Sequence, residues 1–239
     1  NNHATQSGSN KPVYNSAAKE VYFDAPNGAW NSDKDDQNYF NIPAFTKDQN
    51  GDGTMDDPLT AGEVFVVVKT DNEGSNGGFH NWGRPNEINY GWRNTIYDSF
   101  GSGQRAWSEA ASERTRYRIY NADVNKTRIN GTEKLSRTFS GWGASNKLGT
   151  NYSRNWMQGY IKEVIFFNRV VSDAERYRIN KYLSDKWGLT ATMDSDGDGL
   201  VDANDSDANG NGIPDIDEVP TYTELSDGTT IDKFPTNNA

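Results

Sequence analysis

Apolar residues in this chain come in short blocks separated by polar, glycine-rich stretches. Glu63-Val64-Phe65-Val66-Val67-Val68-Lys69 is continuous and β-branched, which predicts a buried strand, and Asp71-Asn72-Glu73-Gly74 supplies the turn that ends it. Tyr160-Ile161-Lys162-Glu163-Val164-Ile165-Phe166-Phe167 predicts a second strand. Val21-Tyr22-Phe23, the stretch from Gly78 to Trp82, Tyr117 to Asn121, Thr127 to Ile129 and Lys147 to Gly149 are shorter candidates. Many strands with polar spacers predict an all-β sandwich or jelly roll, not alternating strands and helices. One helix interrupts the pattern at about 172–187. Ser172 is its N-cap and Glu175 completes a capping box. Ile179, Tyr182, Leu183 and Trp187 fall on one face, and Gly188 is placed to end the helix.

After this helix the pattern changes to oxygen-bearing side chains at every second position. In a twelve-residue loop numbered from Asp194, Asp196, Asp198, the Leu200 carbonyl, Asp202 and Asp205 occupy positions 3, 5, 7, 9 and 12, with Gly199 at position 6. A second loop numbered from Asp207 places Asn209, Asn211, Ile213, Asp215 and Glu218 in the same slots, with Gly212 at position 6. This is how a chain wraps a hard divalent cation, and two Ca²⁺ ions are expected here. A third cluster, Asp48, Asn50, Asp52, Thr54 and Asp56, follows the pattern through position 9. Its position 12 is Leu59, and Asp57 is the residue that could complete the shell of a third ion.

The charge distribution agrees. The chain has 34 acids and 24 bases, a net −10. From Asp194 onward there are 12 acids and one base, which leaves 22 acids against 23 bases before it. The whole net charge therefore sits in the tail, where like charges repel unless cations neutralise them. No basic patch is concentrated enough for nucleic acid, and no apolar run is long enough to span a bilayer. Cysteine is absent, while 29 aromatics (7 Trp, 12 Tyr, 10 Phe) can build a sizeable core in 239 residues. Stabilisation by calcium instead of disulfides suits a protein exposed to millimolar calcium outside a cell.

Catalytic chemistry is poorly represented. Glu163 stands alone on its strand, and glycosidase action needs two carboxyls flanking one bond. His3 and His80, the two histidines, lack metal-ligand spacing. Binding chemistry is richer between residues 79 and 107, where aromatics and polar groups mix. Trp82, Tyr90, Trp92, Asp98 and Arg105 are the candidate ligand residues. Trp82, Tyr90 and Trp92 suit a ligand surface and a core equally, whereas Tyr97 and Phe100 suit the core better. Arg114-Thr-Arg116-Tyr-Arg118 alternates like a solvated strand face.

Asn1 to Gln6 with Lys11 to Tyr14, Val21 to Asp24, Ile96 to Ser102 with Arg105, and above all Gly159 to Arg176 continuing to Lys186-Trp187-Gly188-Leu189-Thr190 resemble bacterial laminin-G-like (concanavalin A-like) domains. Residues 194–218 resemble thrombospondin type 3 calcium repeats. The resemblance implies a lectin-like jelly roll over 1–190, a calcium-repeat segment at 191–219 and a linker or terminal strand at 220–239, within an extracellular cell-surface adhesin. Members usually carry a Pro and an Asp-Gly near Tyr90 to Thr95, absent here, and a further strand upstream of Asn1. Thr221-Tyr222-Thr223-Glu224-Leu225 could fill the resulting groove, in cis or in a neighbouring copy. The expected function is non-enzymatic recognition of a glycan or surface ligand. A fibre subunit built by strand exchange is the alternative, and a polysaccharide-active enzyme a second one.

Overall fold

Val64, Val66 and Val68 alternate with Phe65 and Val67 along one strand, and all five side chains are inaccessible to solvent. A strand buried on both faces belongs in the middle of a sheet. In the computed structural model it is the central strand of a seven-stranded antiparallel sheet. The structure describes residues 11–24, 38–42, 46–47, 51, 53–54, 57–58, 61–71, 95–98, 100, 105–137, 147–150 and 156–217. In chain order the strands are β1 (Val13–Asn15), β2 (Glu20–Phe23), β3 (Phe40–Asn41), β4 (Thr46–Lys47), β5 (Asp57–Pro58), β6 (Glu63–Thr70), β7 (Thr95–Asp98), β8 (Arg105–Ser108), β9 (Arg118–Asp123), β10 (Lys126–Ile129), β11 (Thr132–Ser136), β12 (Lys147–Leu148) and β13 (Gly159–Phe167). Two helices join them, α1 (Ala111–Arg114) and α2 (Asp173–Trp187).

The large sheet runs β1-β2-β13-β6-β9-β10-β11. Strands distant in sequence become neighbours, as in a jelly roll, and the fold is an all-β sandwich of that type. The β7–β8 hairpin and the β12–β3 ladder are separate two-stranded sheets whose apolar residues join the same core. Ile96, Phe100, Leu148 and Phe40 pack with Phe23, Val64, Val66, Val68, Tyr120 and Ile161 from the large sheet. The register of β13 against β6 shifts between Ile161 and Glu163, leaving Lys162 as the extra residue of a bulge. Were Lys162 paired in a regular ladder, strict alternation from Ile161 would turn Val164 and Phe166 away from the core that both pack against.

The chain divides into two compact units, 1–129 with 133–170, and 130–132 with 171–239. Helix α2 therefore groups with the tail, earlier than the boundary at 190 that the resemblance implies. Its predicted caps are present. Ser172 accepts from the Glu175 amide, the Glu175 carboxylate accepts from the Ser172 amide, and Gly188 takes the left-handed conformation that ends the helix. Ile179 and Leu183 of the predicted stripe are buried, together with Arg176, Asn180 and Ser184.

One expectation is overturned. Arg114 lies in α1 and Arg118 in β9, and both are buried. Arg118 pairs with Glu109 at 2.5 Å, and only Arg116 of the three is exposed. The alternation was real, but a helical turn and a buried partner intervene. The predicted strand from Gly78 to Trp82 and the segment from Thr221 to Leu225 lie outside the described residues.

Candidate functional site

Both tail loops are held by their own carboxylates. In the first, Asp194 accepts from the amides of Gly197 (2.8 Å) and Gly199 (3.2 Å), Asp196 from Asp198 (3.1 Å), and Asp198 from Leu200 (2.7 Å). In the second, Asp207 accepts from Asn211 (3.1 Å) and Gly212 (2.8 Å), and Asn211 from Ile213 (2.7 Å). The first and fifth positions thus make the same kind of bond in each loop. Gly197 and Gly199 have φ of 82° and 101°, and Gly210 and Gly212 have 60° and 83°. These are positions 4 and 6 of each loop, where an L side chain would be strained. Gly51 and Gly53 have φ of 77° and 85° at the same positions of the 48–57 cluster. Thr54 is exposed, while Asp48, Asn50, Asp52, Asp56 and the Asp57 side chain lie outside the described residues, as does Glu218.

Oxygens of Asp194, Asp196 and Asp198 lie within 4.8 Å of one another. Burial and then the charges of Asp198, Asp205 and Asp194 raise the pKa of Asp196. Asp205, at position 12, is therefore close enough to act on the cluster. The donor set is hard and anionic, and each carboxylate oxygen that takes one amide keeps a second lone pair. These residues fit Ca²⁺, which would neutralise the cluster.

The acids at position 9 behave differently. Asp202 accepts from the Ser195 amide (2.9 Å) and hydroxyl (2.8 Å). Asp215 pairs with Lys181 of α2 at 3.3 Å. Burial pulls the Lys181 pKa down, but bonds to Asp185 and Asp215 reverse this and leave it raised. Asp202 thus holds the start of its own loop and Asp215 ties its loop to the helix, and neither is among the three grouped carboxylates. Asn209 is buried and Asp205 caps the Asp207 amide at 2.9 Å.

The ligand residues expected at 79–107 divide. Trp82, Tyr90 and Trp92 lie outside the described residues. Asp98 and Arg105 are both 0% exposed and pair at 3.1 Å. Asp98 also accepts from the Phe100 amide, the Tyr120 hydroxyl and Thr127. Arg105 donates to the Asp123 and Phe100 carbonyls. Buried and paired with each other, these two side chains brace the sandwich wall and are withdrawn from solvent.

Pattern reading missed a second polar group, on the sheet face opposite the core. Val13 pairs with Tyr22, Tyr22 with Tyr160, and Tyr160 with Lys69, so one row crosses β1, β2, β13 and β6. The Tyr22 and Tyr160 rings are 4.7 Å apart. The Lys69 ammonium sits 4.6 Å from the Tyr160 ring centre and 4.7 Å from that of Tyr117. Lys162 lies 4.6 Å from the Tyr117 ring and 3.3 Å from Glu20, which also accepts from the Tyr117 hydroxyl. The Tyr22 hydroxyl is 3.4 Å from both Asp24 and Asp71. Burial and then the Asp24 and Asp71 charges push the Tyr22 phenol up to about 12. Tyr160 is raised by burial and then by the charge of Asp71 and its bond to it, and Tyr117 by burial and its bond to Glu20. Strand alternation was the available signal. Tyr22, Tyr160 and Lys69 each sit one position from a core residue.

No protein-family model matches the chain, and no curated protein matches it in sequence. Among solved structures it is similar to the binding domain of botulinum neurotoxin DC in complex with rat synaptotagmin II, at TM-score 0.37 and 12% identity, covering 64% of this chain and 40% of that one. It is similar to domain 4 of AbnA, a GH43 extracellular arabinanase from Geobacillus stearothermophilus in complex with arabinotriose, at TM-score 0.35 and 17% identity, covering 64% and 77%. It is also similar to NanB in a structure with Optactamide, at TM-score 0.36 and 13% identity, covering 70% and 27%. The match thus spans well under half of the toxin domain, and likeness of this degree assigns no function.

Proposed function

We propose that this chain is a calcium-stabilised, non-enzymatic recognition module of a bacterial adhesin, working at the cell surface and binding a glycan or a matrix ligand. The observation that carries the calcium part is the Asp194, Asp196 and Asp198 cluster within 4.8 Å, set in a loop whose glycine positions recur in the next loop. Three carboxylates at that separation repel strongly without a cation. Two ions bind in 194–218 and a third at 48–57. They make the acidic tail a stiff spacer, and the resemblance to thrombospondin type 3 repeats belongs to this reading. Trp82, Tyr90 and Trp92 are proposed for the rim of the ligand surface.

Calorimetric calcium titration of the full chain tests the metal assignment, together with thermal unfolding in calcium and in chelator. Saturable binding and a higher melting temperature in calcium are expected. Heats no larger than dilution, with coincident melting curves, would sink it.

A fibre subunit is the second reading. Among the described residues strand β1 lies at the edge of the large sheet with Val13 60% and Tyr14 63% exposed, a template for a strand from another copy. Sedimentation velocity in calcium separates the two. Concentration-dependent polymers favour the fibre, and a single monomeric boundary removes it.

A further inference from the structure

We infer that the Tyr22–Tyr160–Lys69–Tyr117 row is the sugar-binding surface of this protein, and that it takes an uncharged oligosaccharide. This rests on the recognition reading above and moves its centre from the 79–107 segment to the face of the large sheet opposite the core.

The first argument is Lys69. Its ammonium carries three N–H donors and stands between two ring faces. Those rings attract its charge but accept none of its protons in hydrogen bonds of ordinary strength. The Lys69 ammonium makes no hydrogen bond or ion pair among the described residues. A half-buried ammonium so placed between two rings has donors to offer a hydroxyl oxygen. Lys162, its neighbour on the same face, is already satisfied by Glu20 and by the Ala18 carbonyl at 2.9 Å.

The second argument is the arrangement of partners around it. Aspartates 24 and 71 are exposed acceptors at one end of the row, beside the Tyr22 hydroxyl. The Tyr22, Tyr160 and Tyr117 rings are only half-buried and supply apolar surface between the polar groups. Donor, apolar face and acceptor thus alternate across adjacent strands. A sugar ring has that same composition: C–H faces that lie on an aromatic surface, and hydroxyls at its edge that donate and accept.

The third argument is charge. Glu20, Asp24 and Asp71 stand against Lys69 and Lys162, so the row carries −1 with all five ionised. An anionic glycan would gain one ammonium and meet two exposed carboxylates. A lipid or apolar peptide would bury those carboxylates unpaired, at high cost. A neutral polyol lets Lys69 donate and the Asp71 and Asp24 carboxylates accept, and it leaves none of them buried without a partner.

The row is preorganised. Register pairs Tyr22 with Tyr160 and Tyr160 with Lys69, and the bulge at Lys162 lets this face stay polar while Val164 and Phe166 return to the core. Binding therefore needs little reordering.

The test is a glycan array of neutral, sialylated and sulfated oligosaccharides probed with the full chain in calcium. Calorimetry then follows on the neutral hits with Lys69→Met, Asp71→Asn and Trp92→Ala variants. Both platform substitutions keep side-chain size, and thermal melting checks that they fold. Neutral hits weakened roughly tenfold or more by Lys69→Met and by Asp71→Asn are expected, a loss of about 1.4 kcal/mol or more. Neutral hits abolished by Trp92→Ala but untouched by the platform variants would overturn this inference while the recognition reading survives. Binding confined to sialylated or sulfated glycans would overturn it as well. An array without hits would remove both, while the calcium assignment stands or falls on its own titration.

Discussion

Asp98 and Arg105 show how a side chain is assigned by its surroundings. Each is a polar residue within an aromatic-rich stretch, and each is wholly withdrawn from solvent. Removing one partner leaves the other charge buried without compensation. Asp98→Ala is therefore expected to cost about 3–5 kcal/mol, measured by chemical denaturation. The Tyr22 phenol offers a second check. Its folded pKa, about 12, lies above the unfolded value of 10.0. The folded state thus holds the phenolic proton more tightly, and the stability it contributes is intact below pH 10 and declines as pH rises toward 12. The difference in phenolate absorbance between wild type and Tyr22→Phe should show one group titrating about two units late. A midpoint near 10 would remove the electrostatic account of this corner. At this scale the acids of the tail were legible as a set, because spacing places oxygens around an ion. Their division of labour was not. Asp202 and Asp215 occupy ligand slots by number, yet Asp202 takes the Ser195 amide and hydroxyl and Asp215 pairs with Lys181 of α2, partners that the loop pattern does not specify.

The elements differ in how openly they declare themselves. Helix α2 was readable to its caps, because a capping box and a terminal glycine act within a few residues of chain. Ser172→Ala should cost about 1 kcal/mol, seen as a lower denaturant midpoint with unchanged slope. Strands β6 and β13 were readable from composition, since a strand covered on both faces needs continuous apolar side chains. Strands β7, β8 and β11 were not singled out, because short segments carry too few alternations to distinguish a strand from a turn. The bulge at Lys162 is the element-scale decision with the widest effect. Deleting Lys162 removes the extra residue and should leave Val164 and Phe166 facing the core in a regular ladder. A protein that failed to fold, judged by collapsed amide dispersion, would contradict that account.

For the whole molecule, the charge distribution and the two-unit division point to a tail whose order depends on cations. Limited proteolysis in calcium and in chelator should show new cleavage within 194–217 on chelation, while fragments covering β6 and β13 persist longer. Equal protection in both conditions would mean that the carboxylates are held by backbone amides alone. Adding calcium back should restore protection if the loss is a mass-action effect.

What the chain determined by itself was local: the strand-rich class, the capped helix and the glycine-punctuated acidic loops. Each of these follows from residues a few positions apart, within reach of one turn, one helical cap or one ion. Tertiary structure alone decided which polar residues face solvent. It buried Asp98, Arg105, Arg114 and Arg118, and it brought Tyr22, Lys69, Tyr117 and Tyr160 into one row. Those residues are distant in sequence, and only long-range strand pairing, which depends on the whole sandwich closing, sets them side by side.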